Sequence, residues 1–145
     1  MSQASFLPPW FARAIEALQA GDIDGWMEIY SPDAIHEFPF APEGATRSLE
    51  GRDVIGAYMS QFPSRIRFGS LSDVRVREAG DELILEATGH HRRIADNTPR
   101  DLRYVWFITR RDGKVTHFRD YMNPLQIIKS GESGTSMNRC GFLFA

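Results

Sequence analysis

The sequence contains one cysteine, Cys140, among 145 residues, and it has no long apolar run. One cysteine can form neither an internal disulfide nor a cysteine-based zinc site, so we expect a reducing cytoplasmic location. No segment reaches the roughly 18 to 20 apolar residues that a membrane-spanning helix needs, and the N-terminus lacks the pattern of a secretory signal. We therefore expect no membrane partner.

An excess of positive charge is also absent, because 17 basic side chains stand against 19 acidic ones. This balance excludes broad attraction to phosphate backbones, so nucleic acid is not an expected partner. The sequence has no phosphate-binding loop and no dinucleotide-binding glycine pattern. Its four histidines do not share a metal-binding spacing, since His90 and His91 are consecutive on a predicted strand. We therefore expect neither a metal nor an organic cofactor.

The first half of the chain has apolar residues at helical spacing. Prolines and glycines divide this part into three segments, and Asp22 is a typical N-cap residue. A hairpin is predicted before the last helix, with strands at Ile35–Phe40 and Thr46–Leu49. The predicted helices are bounded by Pro8 and Gly21, by Asp22 and Ser31, and by Gly51 and Pro63.

After Pro63 the apolar residues alternate with polar ones, which is typical of β-strands. The connections between these strands are too short for crossover helices, which predicts an antiparallel sheet. Three helices followed by such a sheet indicate an α+β fold with the helices on one face of a curved sheet. We expect a single domain over residues 1–128 and a C-terminal arm over 129–145. The predicted strands are Phe68–Glu78, Leu83–Ile94, Leu102–Arg110 and Lys114–Met122.

The last strand carries an acidic residue on an apolar face. Alternation places Asp120 on the same face as Phe118 and Met122. A carboxylate in an apolar concavity loses hydration, which raises its pKa and makes it a suitable base next to a carbonyl group. The alternative is that Asp120 faces solvent or pairs with an arginine.

His36 shares a predicted strand face with Phe38 and Phe40. If these rings line a cavity, His36 can donate a proton or hydrogen bond to a developing oxyanion. The alternative is a histidine that only satisfies its own hydrogen bonds in the core. Tyr58 and Tyr104 offer hydroxyls toward the interior, with the same structural alternative. We interpret three tryptophans as core residues, namely Trp10, Trp26 and Trp106.

Five short motifs follow one another along the chain: Gly21-Asp22-Ile23, Tyr30-x-x-Asp33-Ala34, Gly51-Arg52-Asp53, Asp112-Gly113-Lys114-Val115 and the run from Arg119 to Pro124. In this order they resemble the nuclear transport factor two-like superfamily, which includes SnoaL-like polyketide cyclases, ketosteroid isomerases and phenazine-biosynthesis A/B proteins. The resemblance implies a cone-shaped α+β barrel, a homodimer formed through the outer sheet face, and a ligand cavity between the helices and the concave sheet.

The resemblance also implies roles for individual residues. The tyrosine and the aspartate of ketosteroid isomerases correspond to Ala14 and Phe38 here, so steroid isomerisation by those residues is not predicted. The phenazine proteins have Arg-Glu-Phe-Met-Asn-Pro in place of Arg-Asp-Tyr-Met-Asn-Pro, which puts Asp120 at the acidic position. Their helix histidine corresponds to Tyr58.

The orientation of the two consecutive histidines is open at this point. A Gly-His pair of the phenazine proteins matches Gly89-His90, which favours His90 as the residue that faces the cavity. The alternation of Leu83 and Leu85 favours His91 instead.

We predict a small cofactor-independent enzyme for an apolar, carbonyl-bearing ligand, with Asp120 as base and His36 as the second catalytic residue. A hydrogen bond from His36, Tyr58 or His90 would stabilise the enolate. One alternative is epoxide hydrolysis by Asp101, Arg103 and Asp120, and another is a non-catalytic binding protein. The candidate substrate-binding residues are Trp10, Ala14, Phe38, Tyr58, His90, Tyr104, Phe118 and Met122.

Overall fold

The computed structural model describes residues 7–129, in which four α-helices and six β-strands follow one another. A single 3-10 turn at Phe62–Ser64 takes the place of the expected last turn of the third helix. Of the predicted arm over 129–145, only Lys129, the last residue of the fourth helix, is described, and Cys140 lies outside the described residues. In chain order the elements are α1 (Pro9–Gln19), α2 (Ile23–Met27), β1 (Tyr30–Glu37), β2 (Ser48–Glu50), α3 (Arg52–Met59), β3 (Ile66–Ala79), β4 (Glu82–Arg93), β5 (Pro99–Arg111), β6 (Lys114–Met122) and α4 (Pro124–Lys129).

Helix α1 buries one apolar stripe and is exposed on the other side. Phe11, Ala14, Ile15 and Leu18 form the buried stripe, at the spacing of one helix face. The helix begins at a proline, whose missing N–H is not needed in a first turn. Gly21 follows the helix end with a left-handed φ of 75°. The first predicted helix is confirmed.

Helix α2 is shorter than predicted. The side chain of Asp22 accepts a hydrogen bond from the Gly25 N–H at 3.0 Å, as expected for an N-cap. The helix ends at Met27, however, and Tyr30 begins β1, so the predicted end was wrong. The reason is tertiary: Tyr30 pairs with Val115 of β6, and strand pairing outweighs the helical spacing of the apolar side chains.

The six strands form one curved, unclosed sheet in the order β2-β1-β6-β5-β4-β3. The predicted hairpin of β1 and β2 is confirmed, as is the antiparallel meander from β3 to β6. One pairing differs from the prediction, because β1 and β6 run parallel. Short connections constrain only consecutive strands, and these two strands are far apart in the sequence.

The helices cover the concave face of the sheet, where most of the core lies. Phe11 of α1 packs edge-on against Trp106 of β5, with ring centroids 5.9 Å apart. Tyr58 of α3 packs against Phe38, with centroids 5.5 Å apart. Asp120 of β6 belongs to this face and is only 4% exposed. The last strand therefore turns its acidic residue inward, as its alternation predicts.

Candidate active site

A narrow hollow lies between the helices and the concave face of the sheet. Its free volume is about 20 Å³, roughly the space of one water molecule. Most of its wall is aromatic or aliphatic, and Asp120, His36 and Tyr104 provide its ionisable and hydroxyl groups. The lining residues are Leu18, Trp26, His36, Met59, Phe62, Phe68, Tyr104, Trp106, Phe118 and Asp120.

Two hydrogen-bond donors hold the carboxylate of Asp120. Trp106, its register partner on β5, donates its indole N–H to Oδ1 at 2.8 Å. His36 of β1 places Nε2 3.3 Å from Oδ2, and both side chains are buried. The parallel pairing of β1 with β6 brings these two residues together, since His36 lies opposite Phe118 in the register. The carboxylate is thus fixed without an arginine or lysine partner among the contacts of the described chain.

Both ring nitrogens of His36 have partners. An ionised carboxylate can only accept, so Nε2 carries a hydrogen toward Asp120. Nδ1 lies 2.9 Å from the hydroxyl of Tyr30, which donates to it when the imidazole is neutral. The ring also stacks on Phe118, with centroids 4.5 Å apart and planes 15° apart. His36 is thus held in place by Asp120, Tyr30 and Phe118.

A second polar group on the same face joins β3, β4 and β5. The backbone N–H of Gly69 donates to Nδ1 of His91 at 3.0 Å, and Nε2 of His91 lies 2.6 Å from the hydroxyl of Tyr104. His91 is 3% exposed. Burial, with a contribution from His90, lowers the pKa of His91 from its ordinary 6.5 to about 4, against the opposing effect of Asp101. The imidazole of His91 is therefore neutral at pH 7.

The two tyrosines of these groups remain protonated at neutral pH. Burial raises the pKa of Tyr104 well above its ordinary value, and the nearby carboxylate of Asp120 raises it further. The same two causes raise the pKa of Tyr30, although the Trp26 indole works against them. That indole N–H is buried, lines the hollow and makes no hydrogen bond of normal geometry within the described residues.

Four of the predicted site residues line the hollow together: His36, Tyr104, Phe118 and Asp120. Phe38 and Met122 are buried in the core beside it, outside its lining. Tyr58 is half-buried against Phe38 and does not line the hollow either.

Trp10 and Ala14, two predicted substrate-binding residues, do not line the hollow. They line a separate groove between α1, α2 and the turn from β5 to β6, where the Trp10 ring lies 4.3 Å from the guanidinium carbon of Arg110. The spacing of α1 explains this difference, because Leu18 occupies the turn of α1 that lies over the hollow.

His90, a predicted substrate-binding residue, does not line the hollow, because its side chain lies on the exposed face of the sheet. It contacts Ser72 and Asp101 there, at 2.6 and 3.1 Å. Strand alternation decides the orientation: buried Gly89 and His91 share the inner face, and His90 between them points outward.

The Asp-Arg-Asp arrangement for epoxide hydrolysis is not formed. Asp101 is exposed beside His90, and Arg103 contacts Glu86 on the outer face. Asp120 is on the inner face, because its register partner is Trp106, three residues beyond Arg103. The sheet therefore separates the residues that this reaction would have to combine.

The prediction that Phe40 shares the face of His36 is also wrong. Strand β1 ends at Glu37, so the alternation stops before Phe40. Phe40 is 57% exposed and packs edge-on against Tyr121, which is on the face of β6 opposite to Asp120.

Sequence reasoning missed three polar residues of the site. Trp106 and Trp26 were interpreted as core alone, although the indole of Trp106 holds the carboxylate. Tyr30 was assigned to a helix and thus not connected with His36. Strand alternation in β5 could have identified Trp106, because it places Leu102, Tyr104 and Trp106 on one face of the sheet.

An open groove of about 430 Å³ adjoins the hollow at the end of α1. Three side chains line both spaces and separate them: Leu18, Phe62 and Phe68.

Within residues 7–129, no group of three His, Cys, Asp or Glu side chains lies close enough to hold a metal ion. No helix in this part of the chain has the length and apolar character needed to cross a membrane.

The chain is similar to one family model and to at least two known proteins. Residues 11–118 match the family model described as a SnoaL-like domain. Protein YesE of Bacillus subtilis (strain 168) is 32% identical over 116 residues, which cover 79% of this chain and 78% of YesE. An uncharacterised PhzA/B-like protein of Pseudomonas aeruginosa is 31% identical over 122 residues, covering 81% of this chain and 84% of that protein.

Solved structures show the same fold. A candidate isomerase from Bacillus subtilis superposes with a TM-score of 0.80 at 28% identity, covering 92% of this chain and 98% of that one. A candidate polyketide cyclase from Pseudomonas putida KT2440 has a TM-score of 0.71 at 21% identity, covering 89% and 97%. The second likeness concerns the fold alone.

Proposed function

Because the chain belongs to the SnoaL-like domain family, we propose that it is an enzyme that removes a C–H proton next to a carbonyl group, with Asp120 as the base. The observation that supports this most directly is the buried carboxylate of Asp120, held by Trp106 and His36 at the wall of an apolar hollow. The isomerase name of the structural relative from Bacillus subtilis is in line with this class of reaction.

The carboxylate keeps acceptor capacity for a substrate proton. Each of its oxygens has two acceptor sites, and Trp106 and His36 each occupy one. In the proposed step the substrate C–H bond breaks, the proton bonds to a carboxylate oxygen of Asp120, and the electron pair moves onto the carbonyl oxygen as an enolate. Return of the proton to another carbon gives an isomer, whereas attack of the enolate carbon on a second carbonyl gives a ring.

The wall of the hollow favours an apolar substrate. Trp106, Phe118 and Phe68 provide aromatic surface, and burial of such surface is the main source of affinity for a ligand of this type. In the proposed complex, a substrate larger than one water molecule displaces Leu18 and Phe62 and extends into the adjoining groove, which these two residues also line.

Deuterium exchange tests the base without a known substrate. The protein is incubated in D2O with acetophenone, cyclohexanone or 1-tetralone, and loss of the α-proton signal is followed by NMR. We expect exchange above the buffer rate with the unmodified protein, and a rate lower by ~10² to 10⁴-fold with Asp120→Asn.

The matched control is Asp101→Asn, which removes an exposed carboxylate from the neighbouring strand and should leave the exchange rate unchanged. Equal rates for Asp120→Asn and unmodified protein would remove Asp120 from the role of base. Binding of ketones with no exchange above buffer would instead favour the non-catalytic alternative.

A further inference from the structure

The hydrogen bonds of His91 fix the direction in which the Tyr104 hydroxyl donates. The backbone N–H of Gly69 can only donate, so the Nδ1 atom that receives it carries no hydrogen. The hydrogen of the neutral imidazole must then be on Nε2, which donates to the Tyr104 oxygen at 2.6 Å. His91 therefore does not accept the hydrogen of the Tyr104 hydroxyl.

The Tyr104 hydroxyl belongs to the same hollow as the Asp120 carboxylate. The Tyr104 ring lies 4.9 Å from the ring of Trp106, the residue that holds Asp120. Both Tyr104 and Asp120 line the hollow. Within residues 7–129, the hydroxyl has no hydrogen-bond partner other than His91. A buried hydroxyl hydrogen with no acceptor is costly unless a ligand supplies one.

Two glycines leave the space that this arrangement needs. A Cβ on Gly89 would lie 2.3 Å from Nε2 of His91 and 2.8 Å from the ring of Tyr104. A Cβ on Gly69 would lie 1.6 Å from the carbonyl oxygen of His90, so the N–H that fixes the His91 ring depends on a glycine there as well. Both contacts are shorter than real Cβ atoms make, and neither glycine needs a positive φ.

We propose that Tyr104 donates a hydrogen bond to the substrate's carbonyl oxygen and that His91 is the residue that positions it. This rests on the proposed function, in which Asp120 takes the proton and negative charge develops on that oxygen. A donor fixed in advance at the point where charge develops stabilises the transition state. The substrate class follows: an apolar ketone whose acidic C–H bond and carbonyl oxygen fit between Asp120 and Tyr104.

Phenol is a suitable probe, because it resembles a planar enol and needs no turnover. Its dissociation constant is measured by NMR titration for the unmodified protein and for Tyr104→Phe, with toluene as the matched ligand that lacks the oxygen. We expect Tyr104→Phe to weaken phenol binding by ~10 to 100-fold, the usual range for a hydrogen bond to a polar or charged group, and to leave toluene binding unchanged. Failure of the unmodified protein to bind phenol, or equal phenol affinity in both proteins, would overturn the proposal.

The role of His91 has its own readout. Nitrogen-15 chemical shifts distinguish the two imidazole tautomers, and we expect hydrogen on Nε2 and none on Nδ1 at pH 7. The same tautomer should persist in Tyr104→Phe, while His91→Phe should weaken phenol binding as Tyr104→Phe does. Hydrogen on Nδ1 would overturn the positioning role even if His91→Phe did not fold. Because these measurements use binding, a failure of Asp120 as base would appear in deuterium exchange and not in phenol affinity, whereas a failure of Tyr104 as donor would appear in phenol affinity.

Discussion

The backbone of Gly89 lies so close to the ring of His91 that a Cβ at position 89 would stand 2.3 Å from Nε2. A glycine inside a strand ordinarily costs about 0.5 to 1 kcal/mol relative to alanine, because it loses more backbone freedom on folding. At this position the order is reversed, since the added methyl group would occupy the space of the imidazole.

We therefore predict that Gly89→Ala destabilises the protein, by about 1 to 3 kcal/mol as in other overpacked cores, and displaces His91 from Tyr104. Urea unfolding measures the first effect, and the NMR signals of the His91 ring report the second. The matched control is Gly56→Ala in α3, where the nearest atom is the Met27 methyl at 3.7 Å. That variant should be more stable by about 0.5 to 1 kcal/mol. Equal effects of the two substitutions would contradict the steric explanation.

The orientation of His91 shows what strand alternation can predict. Leu83 and Leu85 are buried on the inner face, and His91 follows them at an even number of residues. The sequence therefore predicts that His91 also faces inward. The match of Gly89-His90 to a family motif favoured the other histidine and was misleading. Neighbours in sequence do not share a strand face, so a motif that places one residue correctly can misplace the next.

Other parts of the site depend on contacts that no local pattern contains. Asp120 was predicted to face inward from its own strand, and the structure confirms this. Its partner His36 reaches it only because β1 lies parallel to β6, 84 residues away in sequence. Tyr30 has apolar neighbours at helical spacing, and only its pairing with β6 makes it a strand residue. Long-range pairing of this kind is decided by the whole sheet and could not be predicted from one segment.

Stability should fall as the pH decreases from about 6.5 to about 4, because burial lowers the pKa of His91 to about 4. Between these two pH values the unfolded chain binds a proton at His91 that the folded chain does not bind, and this favours unfolding. The contribution of His91 to the free energy of unfolding is therefore complete above pH 6.5 and lost by pH 4. The gap between the two values corresponds to roughly 3 kcal/mol. The hydroxyl of Tyr104 and the backbone N–H of Gly69 contact the ring on the inner face of the sheet, and the charges of His90 and Asp101 act on it from the outer face.

Urea unfolding between pH 7 and pH 4, for the unmodified protein and for His91→Gln, measures this contribution as the difference between the two curves. An NMR titration of the His91 ring in the folded protein gives its midpoint directly. A midpoint near 6.5 would show that burial does not govern this group.

Substitution of His36 should lower the free energy of unfolding, because the buried Asp120 carboxylate then loses the hydrogen bond from the imidazole. We predict that His36→Phe destabilises the protein by roughly 1 to 3 kcal/mol, since the buried carboxylate loses one of its two hydrogen-bond donors. The loss should be smaller in the His36→Phe, Asp120→Asn double variant, and a double-mutant cycle from urea unfolding measures the coupling. His117→Phe is the matched control, because His117 pairs with Glu37 on the half-exposed outer face, where such pairs contribute about 0 to 1 kcal/mol. Additive effects of the two substitutions in the cycle would contradict the pairing.

Phe62 is predicted to limit the size of ligand that reaches Asp120. It is 3% exposed and lines both the hollow of about 20 Å³ and the groove of about 430 Å³, so its truncation should join the two spaces. Phe62→Ala should cost roughly 3 to 5 kcal/mol of stability, as for other buried phenylalanines. It should also raise the affinity for 2-naphthol relative to phenol by about tenfold, since the second ring gains room worth about 1 to 3 kcal/mol.

NMR titrations with the two ligands measure this ratio under conditions where the variant is folded. Phe40→Ala provides the control, because Phe40 is 57% exposed and packs against the opposite face of the sheet, so its loss should leave the ratio unchanged. If Phe62→Ala and Phe40→Ala give the same ratio, entry to the hollow does not pass Phe62.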